Sequence, residues 1–186
     1  SPANTGHVNL DADVTLKISF KEAFWGAERI LSVNGERVQV RIPKGVTTGS
    51  RLRLKGKGNL QPGTGRRGDL YLRLEIQPHD LWRLEGDQLK GDLPVSLAEL
   101  ALGGTVTFMT PDGEAEVVVP ARIPPGKSLR LKGKGWPSSK GRGDLLLTIT
   151  IQYPEKWSQE ELQLLEQLEL ASCFDPRKVW LKGAHL

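Results

Sequence analysis

Three histidines, one cysteine and two runs of lysine and arginine are the residues of this 186-residue chain from which chemistry could be built. His7, His79 and His185 lie far apart in sequence, and none has a plausible metal or triad partner nearby. Cys173 has no neighbouring histidine to act as a base. The chain is therefore not expected to be an enzyme, and neither a cofactor nor a metal site is expected. The stretch "GTGRRG", Gly63–Gly68, has the spacing of a dinucleotide-binding loop. That loop must open a helix whose N-terminus meets the pyrophosphate, whereas a strand pattern follows here. "RGD" occurs at Arg67–Asp69 and again at Arg142–Asp144, and a turn leading into a strand accounts for both.

The cations are more suggestive. Arg51, Arg53, Lys55, Lys57, Arg66 and Arg67 follow one another with no acid between them, as do Lys127, Arg130, Lys132, Lys134, Lys140 and Arg142. Such runs suit weak, salt-sensitive contact with DNA or another polyanion. Only one aromatic residue, Trp136, lies within either run, and single-strand recognition usually stacks bases on several.

The elements that carry these residues are themselves repeated. "LRLKGKG" spans Leu52–Gly58 and Leu129–Gly135, 77 positions apart. The same shift lays Leu16–Gly26 on Leu93–Gly103, aligning Ser19-x-x-Glu22 with Ser96-x-x-Glu99. Each pair is a capping box that starts a short helix, with Gly26 or Gly103 placed to end it in a left-handed conformation. Asn34-Gly35 and Asp112-Gly113 follow, both expected to supply the positive φ angles of a tight hairpin. The later strands alternate with period two: Val38, Val40 and Ile42 share one face, and Leu70, Leu72, Leu74 and Ile76 share another.

The expected fold is mainly β, with two tandem homologous β-sandwich domains carrying short helices, followed by a C-terminal helix. Residues 1–7 read as a linker, 8–83 as the first domain, 84–155 as the second and 156–186 as a helix and tail. The helix, about Gln159–Leu170, is capped by Ser158 and Glu161 and carries Leu162, Leu165 and Leu168 on one face. The single cysteine excludes an intrachain disulfide and fits a reducing, cytoplasmic compartment. No apolar run approaches the roughly 18 residues of a membrane span, so no membrane partner is expected.

The order of motifs is specific: "SFKEAFWG", "RIPKGVTTGSRLRLKGKG", "GRRGDLYLRLEIQPHDLWRLEGDQL", "LPVSLAELALGG" and "RIPPGKSLRLKGKG" followed by "GRGDLLLTITI". It resembles the C-terminal substrate-binding region of DnaJ-type co-chaperones, over roughly residues 8–170. Ile30–Val38 runs straight through its turn with no cysteine-rich insertion, so the resemblance is to the class without zinc. No His-Pro-Asp J-domain loop is present, and "PHD" at Pro78–Asp80 has the wrong order; on this reading the chain would not by itself stimulate a DnaK-type ATPase.

The resemblance implies a stress-related folding role. Unfolded polypeptide clients would bind a hydrophobic groove on the first domain, formed by Val14, Leu16, Leu31, Val33 and Trp82. Arg29 matches a position that receives acidic tails of the partner chaperone. Leu162, Leu165 and Leu168 would join two copies into a homodimer that delivers clients to a DnaK-type chaperone. Shifting the groove by 77 gives Gly91, Leu93, Phe108 and Thr110 in the second copy, two apolar residues against four, so capture of apolar segments is expected of the first copy. The alternative reading is a DNA- or polyanion-binding module built on the basic loops.

Overall fold

A computed structural model describes residues 8–184; the expected linker, His7 and His185 lie outside the described residues. The chain falls into two compact bodies, one ending at Ile151 and one beginning at Gln152. The fold is mainly β, with short helices and a C-terminal helical segment.

The first copy begins with β1 (Ala12–Ile18) and α1 (Phe20–Trp25). The hairpin β2 (Ala27–Val33) and β3 (Glu36–Ile42) follows, then β4 (Arg51–Leu54) and β5 (Leu70–Ile76). Next come β6 (Trp82–Glu85), β7 (Gln88–Val95), α2 (Leu97–Leu102) and the hairpin β8 (Gly104–Thr110) and β9 (Gly113–Val119). The second copy closes with β10 (Ser128–Leu131), the two-residue strands β11 (Pro137–Ser138) and β12 (Gly141–Arg142), and β13 (Leu145–Ile151).

Local chemistry explains most of these bounds. Ser19 and Glu22 form the expected capping box: the Ser19 N–H donates to the Glu22 carboxylate at 2.7 Å and the Glu22 N–H to Ser19 Oγ at 3.1 Å. Phe20, Ala23 and Phe24 then fall on one buried face of α1. The terminating glycines have positive φ, but with ψ of 163° at Gly26 and −177° at Gly103. They occupy the extended region open essentially to glycine alone, instead of the left-handed helical region expected. This turns the chain directly into a strand. The first hairpin turns on Asn34 and Gly35, at φ 51° and 81°. The second departs from expectation. Its two-residue loop is Pro111-Asp112, and only Gly113, at φ 117°, is positive. The proline ring holds φ near −65° and so forbids a turn with both central residues positive.

In each copy a sheet faces a hairpin. In the first sheet β5 lies between β1, parallel to it, and β4, antiparallel. In the second, β13 lies between β7 and β10 in the same senses. The registers correspond residue by residue: Ala12 pairs with Leu70 and Leu89 with Leu145, while Leu31 opposes Val38 and Phe108 opposes Ala115. In these sheets β6 breaks the correspondence. β6 adds to the free edge of β7, and β1 has no such neighbour among the described residues.

Val40, Leu70 and Leu72 centre the core of the first sandwich. A second, larger core is continuous across both copies, from Ile18, Phe24 and Leu74 to Leu89, Leu93 and Leu147. Trp136 joins them, 2% exposed, with its ring edge-on to Phe20 and Phe24 at 5.2 and 5.4 Å. Arg142 lies over the Phe24 ring at 4.8 Å and is gripped by both carboxylate oxygens of Asp112, at 2.7 and 2.8 Å.

The second body holds α3 (Gln159–Ala171), begun by the Ser158–Glu161 capping box, and α4 (Lys178–Gly183). Neither helix buries a residue. No described helix is long and apolar enough to cross a membrane.

Candidate functional site

The repeated heptapeptides are held by carboxylates. In the first copy Asp69 accepts from the Gly56 N–H at 2.8 Å and from Arg53 Nε at 2.7 Å. In the second, Asp144 accepts from the Gly133 N–H at 3.0 Å and from Arg130 at 3.0 Å. These are the aspartates of the two "RGD" triplets, so both act as clasps within the loop. The backbone N–H, and then the arginine, hold each carboxyl below its usual range. Gly58 and Gly135 close the clasp, because a Cβ on either would stand 2.5 Å from Asp69 O or 2.2 Å from Asp144 O. Two of the six arginines of the basic runs are thereby spent on structure. Among the described residues, Lys57 and Arg67 share Glu36, Arg51 holds Asp13 and Arg142 holds Asp112. Lys55, Lys132, Lys134 and Lys140 stay exposed without an ion pair among the described residues.

A more selective feature lies at the open side of the first sandwich. Ala12, Val14 and Leu16 of β1 face Leu31 and Val33 of β2 across a cavity of about 430 Å³ floored by Leu70 and Leu72. Its rim carries Ser32, Asn34, Asn59 and Lys57. Among the described residues β1 is paired only with β5 and β2 only with β3, so each presents a bare edge of backbone N–H and C=O groups. Val14 is 51% exposed, a large value for an apolar strand residue whose register partner, Leu72, is 1% exposed. The wall thus joins apolar side chains to unpaired strand edges. An extended peptide satisfies both at once: its backbone completes a sheet and its alternate side chains fill the cavity.

Val14, Leu16, Leu31 and Val33 line this cavity together. Trp82 does not. As the first residue of β6 it pairs with Gly91, and its ring lies over Gly91 on the inner face of the second sheet, beside Leu147. It borders instead a depression of about 230 Å³ with Phe20, Phe24, Trp25, His79 and Pro111. The chain enters β6 through His79, whose Nδ1 accepts from the Leu81 and Trp82 N–H groups at 3.0 and 3.2 Å.

Arg29 has a partner within the chain. Its Nε donates to Glu22 Oε1 at 2.6 Å, and a terminal nitrogen donates to Glu22 Oε2 at 3.1 Å and to the Lys17 carbonyl at 3.2 Å. The guanidinium, together with the Ser19 cap, lowers the Glu22 pKa to about 2. Arg29 therefore braces β2 against α1 and the end of β1, the two strands that flank the cavity. Sequence reasoning missed this pair, although Glu22 and Arg29 are only seven positions apart on either side of a glycine turn. Lys57, read in the sequence only as part of a basic run, lies on the rim.

Leu162 and Leu168 are 42% and 54% exposed and Leu165 is half-buried, so α3 keeps an apolar face open along the three positions. Val179, Trp180 and Leu181 of α4 are exposed as well.

The sequence model of the DnaJ C terminal domain family matches residues 12–154. The chain is 43% identical over 177 residues to a DnaJ-like protein of Synechocystis sp., covering 95% of this chain and 53% of that protein. It is 45% identical over 159 residues to chaperone protein DnaJ 2 of Thermus thermophilus, covering 85% and 55%. A curved DNA-binding protein of Escherichia fergusonii is 36% identical over 197 residues, covering 98% and 63%. The chain spans about half the length of the first two.

Proposed function

Since this chain belongs to the DnaJ C terminal domain family, we propose that it holds non-native polypeptides by taking an extended segment into the cavity between β1 and β2. The observation that carries this reading is the pairing of two bare strand edges with an apolar slot lined by Val14, Leu16, Leu31 and Val33. No step of it is catalytic. Roughly 300 Å² of apolar burial contributes about 7 kcal/mol gross. Association costs at least about 4 kcal/mol, so one site binds weakly and releases readily. Two copies joined through Leu162, Leu165 and Leu168 would engage two segments of one client and recover affinity through effective concentration. Release to a DnaK-type chaperone completes the proposal. The pairing of Arg29 with Glu22 favours a bracing role over contact with an acidic tail. The test is Leu31→Ser, read by suppression of aggregation of a chemically unfolded protein. Unchanged suppression with the fold intact would dismiss the cavity.

A second reading, polyanion binding, is favoured by the exposed lysines 55, 132, 134 and 140 and by the likeness to the curved DNA-binding protein. Titration against duplex DNA over rising salt separates the two. Polyanion binding collapses as counterion release loses its driving force, whereas apolar capture persists.

A further inference from the structure

The two copies share their strand registers, yet among the described residues β1 keeps a bare outer edge whereas its counterpart β7 does not. Where the first copy has Val14 on a bare β1, the second has Gly91 on a β7 covered by β6. Gly91 has no positive φ that would call for glycine. Proximity calls for it: a Cβ there would stand 2.6 Å from the Trp82 ring. Trp82 and Gly91 are thus a fitted pair, a large side chain lowered onto the one residue that leaves room for it. Leu147, 1% exposed, lies beside the ring, and Trp82 packs on the same core as Leu93 and Phe108. The corresponding β1 residues Val14 and Leu16 remain accessible. β6 is also locked sideways, by Arg83 on Asp92 at 3.0 Å and by Lys90 on Glu85.

We propose that β6 is a built-in occupant of the second copy: its strand and the Trp82 ring fill the place that a client segment fills in the first, and Trp82 is the residue that limits capture to one groove per chain. The inference rests on the proposed reading of the first groove. It identifies the occupant as an antiparallel strand with a large apolar side chain turned inward. It also gives Trp82 a role opposite to that of a groove residue, since its removal adds a site where loss of a groove residue would subtract one.

The experiment dialyses this chain against rising concentrations of a peptide that alternates leucine and serine, reading the peptide bound per chain at saturation. The wild-type chain takes one peptide and Leu31→Ser takes none. Persistence of binding in Leu31→Ser would reject the first groove itself, independently of β6. Trp82→Ala takes two peptides per chain, and Leu31→Ser with Trp82→Ala takes one. Should Trp82→Ala fail to fold, Trp82→Val keeps a strand-forming residue and is read in the same way. A stoichiometry of one in the folded Trp82 variant, or of two in the wild type, overturns the proposal.

Discussion

Val14→Ser isolates groove chemistry from folding, because Val14 is already half exposed. Leu31 is less suitable for this purpose, since it also packs against the core of Val40, Leu70 and Leu72. Fully burying a valine side chain contributes about 1.5–3 kcal/mol, and the exposed half of Val14 leaves about 1 kcal/mol to be gained on binding. Replacing it by serine should therefore weaken a captured peptide by about fivefold in Kd. Stability should change by about 0.5 kcal/mol or less, as for other surface substitutions. The neighbouring Thr15 is exposed, and strand alternation turns it to the opposite face of β1, so Thr15→Ser is the matched control. Peptide anisotropy gives Kd and urea denaturation gives stability for all three proteins. The reasoning fails if Val14→Ser binds as tightly as Thr15→Ser, or if its loss of affinity is matched by a loss of folding free energy.

Glu22, with its pKa lowered from 4.5 to about 2, contributes stability that is complete above the unfolded value and lost as pH falls through the folded one. The shift alone would be worth about 3 kcal/mol, and the 24% and 36% exposure of the Glu22 and Arg29 side chains reduces it to about 1–2 kcal/mol. Glu22→Gln should flatten the acid limb of stability between pH 4.5 and about 2, and an unaltered limb in acid-titrated melts would refute the pairing. The heptapeptide glycines should separate by mechanism: Gly135→Ala collides with Asp144 O and costs about 2–3 kcal/mol, whereas Gly56→Ala meets open space at φ 68° and costs about 1 kcal/mol. Equal urea midpoints for the two variants would contradict the clasp. The proposed joining of two copies through α3 predicts a dimer mass in sedimentation that Leu162→Ser with Leu168→Ser lowers to a monomer mass while the β-sandwich melt stays in place, and a monomer mass before substitution, or an unchanged mass after it, would refute that role of α3.

Local chemistry was legible in the chain from the start. Capping boxes, the Asn34-Gly35 turn and period-two alternation each depend on residues a few positions apart, and the 77-residue shift exposed the duplication because both copies obey the same local rules. Pro111 shows the limit even there: the glycine in Asp112-Gly113 was visible, but the preceding proline decided the turn. What tertiary structure alone decided was which edges stay bare. Val14 and Gly91 occupy equivalent strands, and their difference in access comes from β6, a strand that joins one sheet and has no counterpart in the other. Trp82 was placed in the expected groove by the resemblance alone, and antiparallel pairing with Gly91 sets it on the second sheet. The cations divided in the same way, because carboxylates 13, 36, 69, 112 and 144 reach them only after folding. Side-chain periodicity sets which face of a strand is apolar; only the complete set of long-range pairings determines whether that face, and the edge beside it, is left open to a second chain.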